Sequence, residues 1–197
     1  MYTTEAIVLK TMPMGEADEL VSIYTKDFGK LRLRARSSKK ITTKQGNFIH
    51  SMAILSCNFV STRAGYLFSG IKSIRGYTDI SEDISASAYV SSFFTLCDDI
   101  FYDGQKDEEI WQLLCNVLEE ARGALRENSP DEAREYLWRR EKQWLLSLLA
   151  ILGLKPKNLN LDNVKNARQL DIYLQRVMQN KLERKIEFFG MKATVSQ

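Results

Sequence analysis

Four cations stand at every second position of one short stretch. Lys30, Arg32, Arg34 and Arg36 alternate with Leu31, Leu33 and Ala35. In an extended strand alternate side chains share a face, so the four charges would line up about 6.6–6.8 Å apart. That spacing nearly matches the phosphate repeat of an extended single-stranded nucleic acid. Cationic side chains neutralise phosphates without reading sequence. Four like charges on one strand face also repel one another, so something acidic must offset them. A bound polyanion is one answer; carboxylates elsewhere in the chain are the other. Lys39, Lys40 and Lys44 carry the patch into the next segment, and Arg63, Lys72 and Arg75 can join it from later strands. Tyr24, Phe28, Tyr66 and Phe68 offer rings for stacking bases, although at least half of them are expected in the core.

Catalysis has little to work with. The chain has one histidine, His50, and no nucleophile motif accompanies it. Glu16, Asp18 and Glu19 are three carboxylates in a predicted turn that could hold Mg²⁺. No second acidic motif nearby completes a two-metal site, and a solvated turn or pairs with nearby arginines explain them better. Glycines 15, 29 and 46 are isolated, and no Gly-Lys-Ser/Thr occurs, so no phosphate-binding loop is present. Cys57, Cys97 and Cys115 lack both the even count of a disulfide framework and the close spacing of a zinc site. They read as small buried hydrophobes in a reducing compartment. No catalytic residue, metal or cofactor is expected.

The elements that must position the cations are strands. Glu5–Thr11, Asp18–Thr25, Lys30–Arg36, Phe48–Ser61 and Tyr66–Tyr77 alternate or are rich in β-branched and aromatic residues. Pro13 with Gly15, Gly29, and Thr62–Gly65 mark the turns between them, and residues 37–47 form a polar basic loop. Five strands in so short a stretch predict a small closed barrel, most simply the oligonucleotide/oligosaccharide-binding (OB) type. At Ser81 the apolar period changes to that of a helix. One stripe runs from Ala86 to Phe101 and is expected to end at Gly104. A second runs from Ile110 to Leu125. Ser129-Pro130-Asp131-Glu132 predicts an N-cap, a proline in the first turn and a capping box, with Gly153 and Pro156 closing that helix. Asp162 opens a further predicted helix to about Gln179, and a last short one covers 181–189. The expected class is α+β: residues 1–78 a five-stranded OB barrel that binds nucleic acid, residues 79–197 an all-helical domain.

Of 197 residues, 44% are hydrophobic and 27% charged, with a net charge of +3, which excludes a disordered chain. The charge is segregated. Residues 1–77 carry +7, residues 78–135 carry −11, and residues 136–197 carry +7. The first block suits a polyanion; alternatively the blocks pair with each other. The N-terminus has no signal-peptide pattern and no apolar run is long enough to span a membrane, so a cytosolic protein is expected.

Several motifs resemble one family. Glu5-Ala-Ile-Val-Leu-Lys, Gly15-Glu-Ala-Asp18, Leu20-Val-Ser-Ile-Tyr-Thr25 and Phe28-Gly-Lys-Leu-Arg-Leu-Arg-Ala-Arg36 are similar to the opening of RecO, the bacterial recombination-mediator family. Leu145–Leu154 with Pro156 resembles its Leu-rich helix ending in Leu-Gly-x-x-Pro, and Lys181-Leu-Glu-Arg184 more loosely its closing Leu-x-Ser-Arg stretch. The resemblance implies an OB barrel followed by helices, with binding of single- and double-stranded DNA. It also implies annealing of complementary strands, recombinase loading with RecR in the RecF pathway, and no enzyme activity. It further implies docking to the acidic C-terminal tail of the single-stranded-DNA-binding protein, in a bacterial cytoplasm and at the nucleoid during repair. For that tail, Arg139, Arg140 and Lys142 beside Trp144 would supply a cationic rim and an apolar wall; the competing expectation is that the tryptophans are core and the arginines pair with acidic helices. Many members carry a four-Cys zinc module after the Leu-Gly-x-x-Pro stretch. Here that place reads Lys157-Asn-Leu-Asn-Leu-Asp162, so no zinc module is expected. The rival reading is an OB-type RNA-binding or protein-interaction module without annealing activity; a nuclease built on Glu16, Asp18 and Glu19 is a distant third.

Overall fold

A computed structural model of the protein describes residues 1–36, 52–154 and 172. The expectations for 37–47, for Phe48–Ser51 with His50, and for the helices beyond residue 160 lie outside the described residues.

Five strands form the first half: β1 (Tyr2–Met14), β2 (Asp18–Thr25), β3 (Gly29–Ala35), β4 (Ala53–Thr62) and β5 (Gly65–Gly76). They close into a barrel in the order β1-β2-β3-β5-β4, with β4 returning to β1. Every pairing is antiparallel except β3 with β5, which run parallel. This is the five-stranded Greek-key order of an OB barrel. Register shifts in β1 at Val8/Lys10, and in the β4–β5 pair at Ile54/Leu55 and Asn58/Phe59, supply the local bends that closure needs. β1 is longer than the sequence predicts and runs through Pro13.

Alternation gives the barrel its inside. Ala6, Val21, Ile23, Leu31, Leu33, Ala35, Cys57, Phe59 and Phe68 fill one core cluster. The opposite faces of β1, β2 and β4 are also apolar. Ile7, Leu9, Tyr24 and Ile54 belong to a second core shared with the helices. The barrel is thus covered on one outer side.

Four helices follow: α1 (Thr78–Glu82), α2 (Ile84–Ile100), α3 (Glu108–Glu127) and α4 (Pro130–Ile151). The helical onset differs in detail from the expected single helix beginning at Ser81. A short α1 comes first, and Asp83 breaks it and caps α2, its side chain accepting from the Ala86 N–H at 2.7 Å. Helix α2 stops at Ile100, well before Gly104. Its end is set by a side chain from the barrel, described below. Helix α3 is capped by Asp107, and α4 starts with the predicted capping box at Ser129 and Glu132. Gly153, at φ 69°, follows α4 as expected.

Candidate nucleic-acid interface

Strand β3 alternates as its sequence requires. Leu31, Leu33 and Ala35 point into the barrel, while Arg32, Arg34 and Arg36 are exposed on its outer face. Lys30 departs from this row. It lies on the same outer face but is only 1% exposed. Its Nζ sits 2.9 Å from the Asp98 carboxylate and donates to the backbone carbonyls of Asp98 and Phe101 at the end of α2. Lys30 therefore neutralises the carbonyl end of a helix rather than a phosphate. The physical reason is its neighbour. Tyr24 stands opposite Lys30 in the β2–β3 register, and the segment 101–107 folds over both. The Tyr24 hydroxyl accepts from the Asp107 N–H at 2.9 Å, and the Gly104 N–H donates to the Lys30 carbonyl at 2.8 Å. Burial pushes the Tyr24 phenol up to about 12.

The remaining row is partly compensated by carboxylates. Arg34 donates through Nε and Nη2 to Asp18 Oδ2 at 2.9 and 2.6 Å. Arg32 approaches Asp103 at 3.7 Å. Both arginines remain accessible, 48% exposed for Arg32 and 44% for Arg34, so these are surface pairs that a phosphate can replace. Among the described residues, no carboxylate lies within ion-pair distance of Arg36.

The later cations divide. Arg34 stands beside Leu67 in the parallel β3–β5 pair, and Lys72 lies farther along β5. Lys72 is exposed and shares the outer face with Ser56. Arg63 is exposed in the β4–β5 turn. Arg75 instead pairs with Glu119 of α3, which also accepts from the Tyr77 hydroxyl at 2.7 Å. The Tyr77 hydrogen bond, helped by the hydrogen bond and charge of Arg75, outweighs the opposing effect of burial and holds the Glu119 carboxyl below its ordinary range. Lys39, Lys40 and Lys44 lie outside the described residues.

The acidic trio does not converge. Asp18 faces outward to Arg34, whereas Glu19, next on the strand, faces the other way and is 6% exposed. The thiols are separated on β4, α2 and α3. Burial pushes Cys57 up to about 12 and Cys115 up to about 11, which leaves them protonated and poor nucleophiles.

Among the residues expected to form the tail-binding site, Trp144 is enclosed rather than open. Trp144 is 3% exposed and belongs to the helical core, with its indole N–H donating to Glu120 Oε2 at 2.6 Å. Arg140 forks onto the same carboxylate, with Nε at 3.0 Å from Oε2. Arg139 pairs with Glu135 one turn earlier on α4, and Lys142 lies over the Trp138 ring at 4.2 Å. An indole that already has its partner and its packing offers no open wall to a peptide. Of the four predicted stacking rings, Tyr24 and Phe68 are core, while Phe28 and Tyr66 reach the barrel's end beside Tyr2 and Phe59. Neither Tyr2 nor Phe59 carried a strand-level signal, since ring clusters form only once the barrel closes.

Residues 1–76 match the family described as recombination protein O, N terminal. The likeness to the RecO family is carried by the barrel. Relatives named DNA repair protein RecO agree. One from Geobacter sulfurreducens is 30% identical over 115 residues, 58% of this chain and 47% of the relative. Another from Thermodesulfovibrio yellowstonii is 42% identical over 59 residues, 30% of this chain and 24% of the relative. A third, from Caldicellulosiruptor bescii, is 26% identical over 120 residues, 60% of this chain and 48% of the relative. At best, the chain spans about half the length of these RecO relatives. Among its described residues, no helix is long and apolar enough to cross a membrane.

Proposed function

We propose that this chain is a non-enzymatic DNA-binding protein of recombinational repair. It anneals complementary single strands and, with RecR, promotes recombinase loading. The observation that carries the reading is the row of accessible arginines on the outer face of β3, Arg32, Arg34 and Arg36. It is joined by the relatives' name, DNA repair protein RecO. In this reading residues 1–78 are the DNA-binding domain and residues 79–197 the helical domain that braces it.

Annealing needs no active site. Two phosphate backbones repel as they approach, and mobile cations lower that repulsion while leaving bases free to pair. Arg34 and Arg32 suit the task because each holds a weak surface carboxylate when no DNA is present and exchanges it for phosphate when DNA arrives. Both single- and double-stranded DNA present the phosphates this face recognises. RecR and the acidic tail of the single-stranded-DNA-binding protein are the protein partners of this reading, at surfaces other than the filled one at Trp144. The place of action is the bacterial cytoplasm, at the nucleoid.

Titration of the full chain with single-stranded DNA at several salt concentrations tests it. Three or four phosphate contacts give a log–log slope of about −2 to −3, from about −0.7 per contact. Annealing of complementary oligonucleotides should proceed with Mg²⁺ chelated. A flat salt response, or RNA competing as a far stronger ligand than DNA, would overturn the proposal.

A further inference from the structure

The end of the barrel nearest the start of β3 holds a cavity of about 390 Å³. Its wall is aromatic. Tyr2 stacks on Phe59 at 5.2 Å between ring centroids and 23° between planes, and Phe28 meets both rings edge-on at 5.5 and 5.6 Å. Tyr66 meets Phe59 edge-on at 5.5 Å. Leu31, Gly104, exposed Lys106 and Asp27, whose carboxylate accepts from the Thr4 hydroxyl, also line the space. Two of these rings are unusually wet for aromatics in a small barrel: Tyr2 is 45% exposed and Tyr66 38%.

We infer that this aromatic cup takes one unpaired nucleobase, extruded from a single strand that lies along the arginine face of β3. The inference rests on the DNA-binding reading and adds a second kind of contact to it. Three features favour a base over other occupants. A nucleobase is flat and apolar on its faces, and it gains from both stacked and edge-on rings. Lys106 stands at the rim, and no carboxylate among the described residues lies within ion-pair distance of it, so it can meet the phosphate that travels with the base. The cup and the cation row are also built from consecutive residues. Leu31 lines the cup from the inner face of β3, and Arg32 begins the exposed row on the outer face. Successive residues of a strand are only about 3.3 Å apart along it, so one nucleic-acid chain can serve both sites by turning over the barrel's end.

The phosphate row cannot distinguish a base from its absence, whereas a stacking cup must. The experiment compares a short thymidine oligomer with an abasic strand of the same length and phosphate number, using the full chain. The thymidine strand should bind roughly tenfold more tightly, with the same salt slope for both. A strand containing 2-aminopurine should lose fluorescence on binding as that base stacks. Tyr2→Leu with Tyr66→Leu keeps the cup apolar but removes two rings; it should abolish the preference and the quenching while the salt slope stays. If the parent binds neither strand, the DNA-binding reading itself fails. If it binds both strands equally and 2-aminopurine stays bright, the cup inference fails alone, and the cup then suits an apolar side chain of a protein. If the double variant unfolds, the parent's comparison of the two strands still decides.

Discussion

Lys30 on β3 and Asp98 on α2 form an ion pair of 2.9 Å in which neither side chain is more than 6% exposed. The pair fastens the helical half to the barrel. Ser22 of β2 donates its hydroxyl to the same carboxylate, so two strands and one helix meet at a single acid. Lys30→Ala should leave Asp98 buried without its counter-charge, and the loss should be about 3–5 kcal/mol. Lys30→Met together with Asp98→Leu should recover most of that loss, since removing both charges leaves none stranded. Chemical denaturation of the parent and both variants reads this out. A Lys30→Ala protein as stable as the parent would show that the pair contributes nothing.

Asp98 also sets an acid limit. Burial alone would raise its pKa, but the Ser22 hydrogen bond and then the hydrogen bond and charge of Lys30 outweigh it, and the carboxyl is held below its ordinary value. A group whose folded pKa is depressed stabilises the fold above its unfolded value, about 3.9 for aspartate. That stability is lost as pH falls through the folded pKa. Melting temperature should therefore be nearly flat from neutral pH down to about 5 and decline below about 4. Asp98→Asn should start lower and decline less over the same range. An identical acid decline in the two proteins would assign it to other carboxylates.

Arg34→Ala with Arg36→Ala should make the salt slope of single-strand binding shallower by about 1 to 1.5. Folding should persist, because Leu33 and Ala35 still fill the barrel. Asp18→Asn frees Arg34 from its partner and should tighten binding at low salt. Electrophoretic mobility shifts over a salt series would measure both effects. Unchanged binding by the double variant would move the DNA path to Arg63 and Lys72.

Glu120 is the shared acceptor of Trp144 and Arg140. Glu120→Ala leaves a buried indole N–H without a partner, which costs about 1–3 kcal/mol. The midpoint of thermal unfolding should fall, and Trp144 fluorescence should change. Glu120→Gln should lie between parent and alanine variant, since it keeps an acceptor and loses the charge. A Glu120→Ala protein with the parent's midpoint would show that the indole finds water instead.

Gly29 carries φ of +68°, and an added Cβ would overlap the backbone of Gln105 and Lys106. Gly29→Ala should therefore be more damaging than an ordinary surface Gly→Ala change, with reduced yield of folded protein in expression trials. Gly15→Ala makes a fair control, because it shares the positive φ but meets nothing within 4 Å.

Much of the fold was legible from local pattern. The inside of the barrel follows from the alternation of β3, and the start of α4 follows from Ser129, Pro130 and Glu132, because those signals need only near neighbours. The fate of Lys30 was not legible from β3 itself, where it is indistinguishable from Arg32. The clue lay on β2. Leu20, Val21, Ile23 and Tyr24 are apolar on both faces, which is the mark of a strand covered on both sides, and Tyr24 stands opposite Lys30. Trp144 misled for a similar reason. An indole beside arginines reads as a binding site until Glu120 of α3 is known to accept from both Trp144 and Arg140, while Arg139 pairs within its own helix.

The closing of the barrel also has an order in time. β1 pairs with β4 from Tyr2 opposite Phe59 to Ile7 opposite Ile54, and β3 pairs with β5 through Arg34 opposite Leu67. A ribosome must therefore deliver β5 before the ring can shut, and α2 before Ile7, Leu9 and Tyr24 find their cover. Until then the β1–β2–β3 meander leaves the ribosome with open edges and apolar residues on both faces, and such long-range pairings form slowly. The nascent chain is most prone to aggregate in that interval.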